Sequence, residues 1–198
     1  MKEFLGIDLS LNRSGFTILT NSGELDEVGV VDVGKERLFG ERRLAYIFAR
    51  FSALINSRNY SAIGIEGYSF GARGSMVFSI GEAGGIVKLL LHNNYRKNSV
   101  PYYVFQPTTI KKYATSKGNA KKSHILKSVY KMWEFDTDDE DVADSYAVAK
   151  LTWAHYHHQQ NKKIDVKSFQ IEVLNKLKNK REQEKCDEKE KRKNKRID

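Results

Sequence analysis

Phe4-Leu5-Gly6-Ile7-Asp8-Leu9-Ser10 is a short apolar run that delivers a carboxylate near its end. Leu5, Ile7 and Leu9 alternate onto one face, the period of a β-strand. An Asp in that setting is costly unless it is capped, paired or metal-bound. The same pattern returns at Ile63-Gly64-Ile65-Glu66-Gly67. If these two strands are sheet neighbours, Asp8 and Glu66 come close together, and two unpaired anions repel unless a cation sits between them.

Outward from the first strand, Ser14 to Thr20 is rich in β-formers, Asn21-Ser22-Gly23 suits a hairpin turn, and Leu25 to Val33 supplies a third strand. Glu36 to Arg58 switches to helical spacing through Leu38, Ala45, Phe48, Phe51, Leu54 and Ile55. A strand from Tyr60 to Glu66 follows, then a helix from Ser75 to Asn93 with Gly81, Ala83, Gly84 and Gly85 in its middle. Pro101 to Phe105 reads as the fifth strand. Helices are expected over Pro107–Ala114, Asn119–Trp133 and Asp139–His157. Three hairpin-linked strands followed by strand–helix alternation predict an α/β fold, a mixed five-stranded sheet flanked by helices. Residues 1–160 form the expected domain and 161–198 a basic C-terminal tail, helical at first through Val166, Phe169, Val173, Leu174 and Leu177 and disordered at its end.

The composition bounds the function. The chain has 198 residues, 40% of them hydrophobic, which is enough for one sizeable core. Its net charge of +9 and pI of about 9.4 point to an acidic partner. Much of that charge lies between Lys162 and Asp198, with 14 Lys/Arg against 8 Asp/Glu, so the globular part is only mildly basic. Cys186 is the single cysteine, which excludes an intrachain disulfide and cysteine-based zinc sites. No apolar run approaches the roughly 20 residues that span a bilayer, and the start lacks the apolar core of a signal peptide. A soluble protein of a reducing compartment with no membrane partner is the expectation, and the small size, low Pro content and basic tail are compatible with the cytoplasm of a bacterium or of a phage-infected cell.

Two further carboxylates, Asp141 and Asp144, open a helix whose neighbouring positions are apolar or small. Residues three apart share a helical face, so both can point at one place. Oxygen-only ligands suit a hard divalent ion, Mg²⁺ or Mn²⁺, rather than zinc. Phosphodiester hydrolysis needs such a cluster, in which two metals about 4 Å apart activate a water and stabilise the leaving oxygen. The ordinary alternative is a turn-capping Asp and a helix start made acidic by the macrodipole. Asp138, Asp139 and Glu140 lie close enough to compete as ligands.

Taken in order, these segments resemble the RuvC family of Holliday junction resolvases. Gly6-Ile7-Asp8 with Ser14-Gly15-Phe16 resembles the family's first hairpin, and Ile65-Glu66 its second acidic strand. Ile80-Gly81-Glu82-Ala83-Gly84-Gly85 resembles its small-residue helix. Pro107-Thr108-Thr109-Ile110-Lys111-Lys112 and Gly118-Asn119-Ala120-Lys121-Lys122 are similar to its two lysine segments. Asp141-Val142-Ala143-Asp144-Ser145-Tyr146-Ala147-Val148-Ala149 is similar to its last acidic helix. The resemblance covers residues 4 to 155. It implies a ribonuclease H-like fold and a homodimer cutting four-way junctions and other branched DNA symmetrically, with 5′-phosphate products. It implies two Mg²⁺ per active site on Asp8, Glu66, Asp141 and Asp144, with Mn²⁺ as a substitute. Lys111 and Lys122 match the lysines that contact phosphate and stabilise the transition state, with Lys112 and Lys121 close enough in register to substitute or to bind DNA.

Gly67 to Ser75 is a loop in which Tyr68, Phe70 and Arg73 are candidates for stacking on unpaired bases at the branch point. His155 and His158 share a helical face, and the ordinary reading of His155, His157 and His158 is a solvated helix end rather than a metal site. Lys185 to Arg196 offers either a phosphate grip or a solubilising end. Two alternative functions remain distinct from a strict resolvase: a broader nuclease acting on flaps and forks, and a non-catalytic branched-DNA-binding protein on the same fold. An actin-like ATPase shares the Gly-Ile-Asp strand, but the chain is short for two such lobes.

Overall fold

Five strands and six helices make up the computed structural model, which describes residues 2–67 and 76–194; at 76, 181, 182 and 184–194 only the backbone is described. Strands β1 (Glu3–Asp8), β2 (Arg13–Leu19) and β3 (Leu25–Asp32) form an antiparallel meander, turned at Gly23 in a positive-φ conformation. Strand β4 (Tyr60–Glu66) lies parallel to β1, and β5 (Tyr102–Phe105) parallel to β4, giving the order β3-β2-β1-β4-β5. The sheet is the mixed five-stranded one read from the sequence. Its two central strands are buried on both faces, which explains their near-continuous apolar runs.

Helices cover both faces. On one side α1 (Gly40–Asn56) and α2 (Met76–Asn98) pack over Leu5, Ile7, Ile63 and Ile65. On the other, α3 (Pro107–Thr115), α4 (Lys122–Trp133), α5 (Glu140–Gln159) and α6 (Ser168–Asn194) share a core with Phe4, Leu19, Ala62 and Phe105. The hydrophobic period locates each helix, but local backbone chemistry sets its ends. Helix α1 starts later than the pattern suggests because Val33 to Arg37 forms turns and Gly40 takes a positive φ. Helix α2 runs on past Asn93, carried by buried Leu90, Leu91 and Asn94, and ends before Ser99, a positive-φ residue close to Pro101. Helix α4 begins only at Lys122, because the residues before it form a turn closed by Ala120 N–H on the Lys117 carbonyl.

The start of the tail docks as the amphipathic helix that its apolar positions suggest. Val173 and Leu174 are fully inside the second core, Gln170 is buried and donates to the Tyr113 carbonyl, and α6 continues as a helix to Asn194. The histidines of α5 differ from the expected solvated end. His155 lies edge-on between Tyr103 and Phe105, and His157 lies among Phe4, Trp153 and Tyr156, both buried. The cause is that α5 is covered along its whole length, by the sheet, α4 and α6. Among the described residues the histidines form no metal-holding group.

Candidate active site

Asp8 ends β1 and Glu66 ends β4, and the parallel register pairs Ile7 with Ile65, the residues just before them. The two carboxylates are therefore delivered side by side at the carboxyl edge of adjacent parallel strands, where open α/β sheets bind their ligands. Helix α5 supplies the other two. Asp144 is 8% exposed on its first turns, and Asp141 lies one turn earlier on the same face.

Close packing fixes this helix against the sheet. A Cβ at Gly15 would lie 2.0 Å from the Asp141 carbonyl oxygen, one at Gly6 2.3 Å from the Ala149 nitrogen, and one at Gly64 1.8 Å from Thr152 Oγ1. Glycines on three neighbouring strands thus form a channel for α5, crossing β2, β1 and β4 in turn. Inside it a hydrogen bond of 2.8 Å between Thr17 and Ser145 hydroxyls locks β2 to the helix. The start of α5 is set by Asp139, whose carboxylate accepts from the amides of Asp141 (3.1 Å) and Val142 (3.3 Å) as an N-cap.

The electrostatics follow from crowding four anions in a half-buried place. Burial holds the Asp8 carboxyl well above the usual carboxylate range, the charges of Glu66 and Asp144 add to the rise, and Lys122 opposes it. Glu66 is pushed up to about 7, first by burial and then by Asp144. Burial raises Asp144 as well, against the pull of Lys122. The Lys122 ammonium lies 3.5 Å from Asp144, 3.6 Å from Asp141 and 3.7 Å from Glu140. Burial disfavours its charge, yet these carboxylates together outweigh burial and raise its pKa. Lys111 on α3 acts at longer range, its charge favouring the ionised forms of Glu66 and Asp144.

The expected residues separate accordingly. Asp8, Glu66, Asp141, Asp144 and Lys122 converge, and Lys111 faces them electrostatically. Lys112 instead points to α6 and pairs with Glu172 at 3.5 Å. Lys121 is exposed at the N-cap of α4. Tyr68, Phe70 and Arg73 lie outside the described residues. Of the three competing acids, Asp139 is occupied as an N-cap and by an ion pair with Arg13, and Glu140 is half exposed beside Lys122.

Arg13 is the residue that the sequence did not mark. From the start of β2 its guanidinium donates to Asp139, at 2.8 Å to one oxygen and more closely to the other, and to Asp141 at 2.5 Å. These contacts raise its pKa and hold Asp139 below its ordinary value. Asp139 carried a local signal, an Asp immediately before a helix start, whereas nothing near Arg13 in sequence announces its partners.

The donor set suits a divalent metal. It is made of carboxylate oxygens alone, and its buried like charges call for a counter-cation. Among the described residues no three acidic or histidine side chains are arranged to hold an ion. Asp141 and Asp144 turn oxygens towards Lys122, and Asp141 also towards Arg13, so the chain's own cations occupy the place where positive charge is needed.

A family model described as crossover junction endodeoxyribonuclease RuvC matches residues 4–152. The chain is 31% identical over 151 residues to the crossover junction endodeoxyribonuclease RuvC of Petrotoga mobilis, covering 73% of this chain and 89% of that protein. It is 28% identical over 152 residues to the protein of the same name from Caldicellulosiruptor saccharolyticus, covering 73% and 88%. In fold it is similar to RuvC of Thermus thermophilus, with a TM-score of 0.63 at 19% identity over 80% of this chain and 96% of that one. The same protein in complex with a Holliday junction substrate gives 0.62 at 18% identity, over 81% and 96%. With strand order, acidic cluster and matched span in agreement, the chain belongs to the RuvC family of crossover junction endodeoxyribonucleases.

Proposed function

We propose that this protein is a divalent-metal-dependent endonuclease that resolves Holliday junctions, with Asp8, Glu66, Asp141 and Asp144 as ligands of two Mg²⁺ ions, for which Mn²⁺ can substitute. The observation that carries the reading is the meeting of Asp8 and Glu66, from paired strand ends, with Asp141 and Asp144 across the α5 channel. Bound there, the ions supply water activation and neutralise charge on the leaving oxygen.

The chain's own residues do the rest. Asp8 and Glu66 are carried by paired strand ends and Asp144 by α5, so the backbone sets their positions before DNA arrives and only side chains have to turn from Lys122 to the ions. Lys122, already drawn to the cluster, is placed to meet the negative charge that develops on the scissile phosphate, and Lys111 reinforces the positive field from α3. Lys121 is a candidate contact for the DNA backbone. Lys112, paired with Glu172, serves α3–α6 docking in the free protein.

Symmetric resolution of a four-way junction needs two active sites, so the active form is a homodimer. Helix α2 supports this: Phe78 is 76% and Leu89 58% exposed, and a Cβ at Gly81 or Gly85 between them would meet no described atom within 4 Å. A stripe of that kind on a helix suits close packing with a second copy. Residues 1–160 form the nuclease domain, and α6 extends it as far as Asn194. Among the described residues no helix is long and apolar enough to cross a membrane; the site of action is the cytoplasm, where the DNA lies.

The test is cleavage of a synthetic mobile four-way junction with Mg²⁺, mapped strand by strand, beside a flap, a fork and linear duplex. Paired symmetric cuts across the junction are expected, and Asp8→Asn should keep junction binding while losing cleavage by at least about 10³-fold. Wild-type-like cutting by Asp8→Asn would remove the cluster from the chemistry, and equal cutting of flaps and forks would favour a broader structure-selective nuclease.

A further inference from the structure

Arg13 touches one of the proposed ligands directly and is itself held by a residue that is not in the ligand set. Its guanidinium is anchored on the Asp139 carboxylate, which the first amides of α5 hold in place. From that anchor one Nη reaches Asp141 Oδ2 at 2.5 Å, while Asp141 Oδ1 faces Lys122 at 3.6 Å. Arg13 follows the loop after Asp8 and begins β2, so the contact also ties the β1–β2 hairpin to the helix that carries Asp141 and Asp144.

We propose that Arg13 is a positioning residue that shares Asp141 with the divalent ion and thereby weakens the site's hold on it. This rests on the reading of the carboxylate cluster as the metal site. Two effects oppose one another. Fixing one Asp rotamer favours metal binding by a few-fold, since a short side chain has little rotamer freedom to lose. A guanidinium and a doubly charged ion on opposite oxygens of one carboxylate repel across a few ångströms, which is worth roughly tenfold or more even at high effective dielectric. Charge wins. Arg13 therefore raises the concentration of divalent ion that the site demands, while holding Asp141 so that one oxygen remains for the ion.

The experiment is a Mn²⁺ titration of the DNA-free protein, read by electron paramagnetic resonance of free Mn²⁺ and by calorimetry, independently of cleavage. Arg13→Gln is expected to bind Mn²⁺ at least about tenfold more tightly than wild type. Arg13→Lys, which keeps the charge, is expected to stay within a few-fold of wild type. In an Asp141→Asn background, where no shared carboxylate holds the two cations close, the gain from Arg13→Gln should shrink. If Arg13→Gln does not fold, Arg13→Met carries the same expectation, since it also removes the charge. A merely structural role would lower thermal stability without tightening metal binding. Equal or weaker Mn²⁺ binding by the charge-removing variant overturns the inference, as does a gain that is undiminished with Asp141→Asn. Wild-type Mn²⁺ binding that Asp8→Asn leaves unchanged would overturn the metal assignment of the cluster and this inference with it. Asp8-dependent binding without the Arg13 effect overturns the inference alone.

Discussion

Replacing Glu66 by Gln should make the metal-free protein more stable. The Glu66 carboxyl has its pKa raised from 4.5 to about 7, by burial first and by Asp144 second. At about 1.4 kcal/mol per pKa unit, its ionised form costs the folded state about 3 kcal/mol relative to the unfolded chain. Gln keeps the shape and removes the charge, so about 3 kcal/mol is the ceiling of the gain at pH 8. A chain of this size shifts its Tm by roughly 2–4 °C per kcal/mol, so a rise of up to roughly 6–12 °C is expected in EDTA. The pH sets the sign. A folded pKa above the unfolded one contributes stability that is fully present below pH 4.5 and lost as pH rises through about 7. The gap between wild type and Glu66→Gln should therefore be widest at pH 8 and close towards pH 5. Mg²⁺ at pH 8 should narrow or reverse it, because wild type gains a bound ion where Glu66→Gln binds more weakly. Thermal unfolding by circular dichroism in EDTA and in Mg²⁺, at both pH values, measures all four quantities. A Glu66→Gln protein no more stable than wild type at pH 8 in EDTA, or a gap indifferent to pH, would refute the claim that the site stores unfavourable charge.

Three further outcomes test separate parts of the structure. Gly15→Ala places a Cβ 2.0 Å from the Asp141 carbonyl oxygen, so α5 must shift at its start; a loss of about 1–3 kcal/mol in urea unfolding is expected, with cleavage lost disproportionately, and normal cleavage would break the link between the channel and the site. Lys122→Met removes the cation that pairs with Asp144 and, beside Arg13, with Asp141; junction cleavage should fall by about 10²–10³-fold, whereas stability in EDTA should drop by only about 1 kcal/mol because the side chain is half exposed. Burial lowers the pKa of His157 from 6.5. Its stabilising contribution is thus present above pH 6.5 and lost as pH falls through the lower folded value, so His157→Phe should flatten the acid limb of a pH–stability profile; an unchanged limb would mean that His157 is not held neutral.

The strand ends and the acidic helix were legible because their signals are local. A carboxylate after Ile7 or Ile65 violates the burial pattern of its own strand, and Asp141 with Asp144 shares a helical face whatever surrounds it. Parallel pairing of β1 and β4 then brought Asp8 to Glu66, as the sequence reading required. Arg13 was not legible, because its partners lie 126 and 128 positions away and its own neighbours Asn12 and Ser14 suggest only a turn. Asp139 was read as a rival ligand because acidity alone does not separate a cap from a ligand; the two amides it accepts make that distinction. Lys112 was a plausible substitute for Lys111 until Glu172, on a helix beyond the resemblance, drew it away. The burial of His155 and His157 was hidden for a related reason. Most of the helix carrying them is buried, so no continuous polar face marks where solvent begins.

The core of the folded unit extends past the span that matches the family. That span ends at residue 152, whereas Val173 and Leu174, on α6, are as buried as the residues of the central strands. Helix α6 packs chiefly on α3, the helix that carries Lys111. Gln170 donates to the carbonyl of Tyr113, itself fully buried, and Glu172 pairs with Lys112. Removing α6 would strip cover from α3, Tyr113 included, whereas none of the contacts described for the carboxylates reaches α6. The two halves of the site therefore depend on different parts of the chain. The acids are set by the glycine channel between α5 and the sheet, inside the family span. The placement of Lys111 depends also on an extension outside that span, which the physics of burial ties to the nuclease even where the sequence resemblance does not reach.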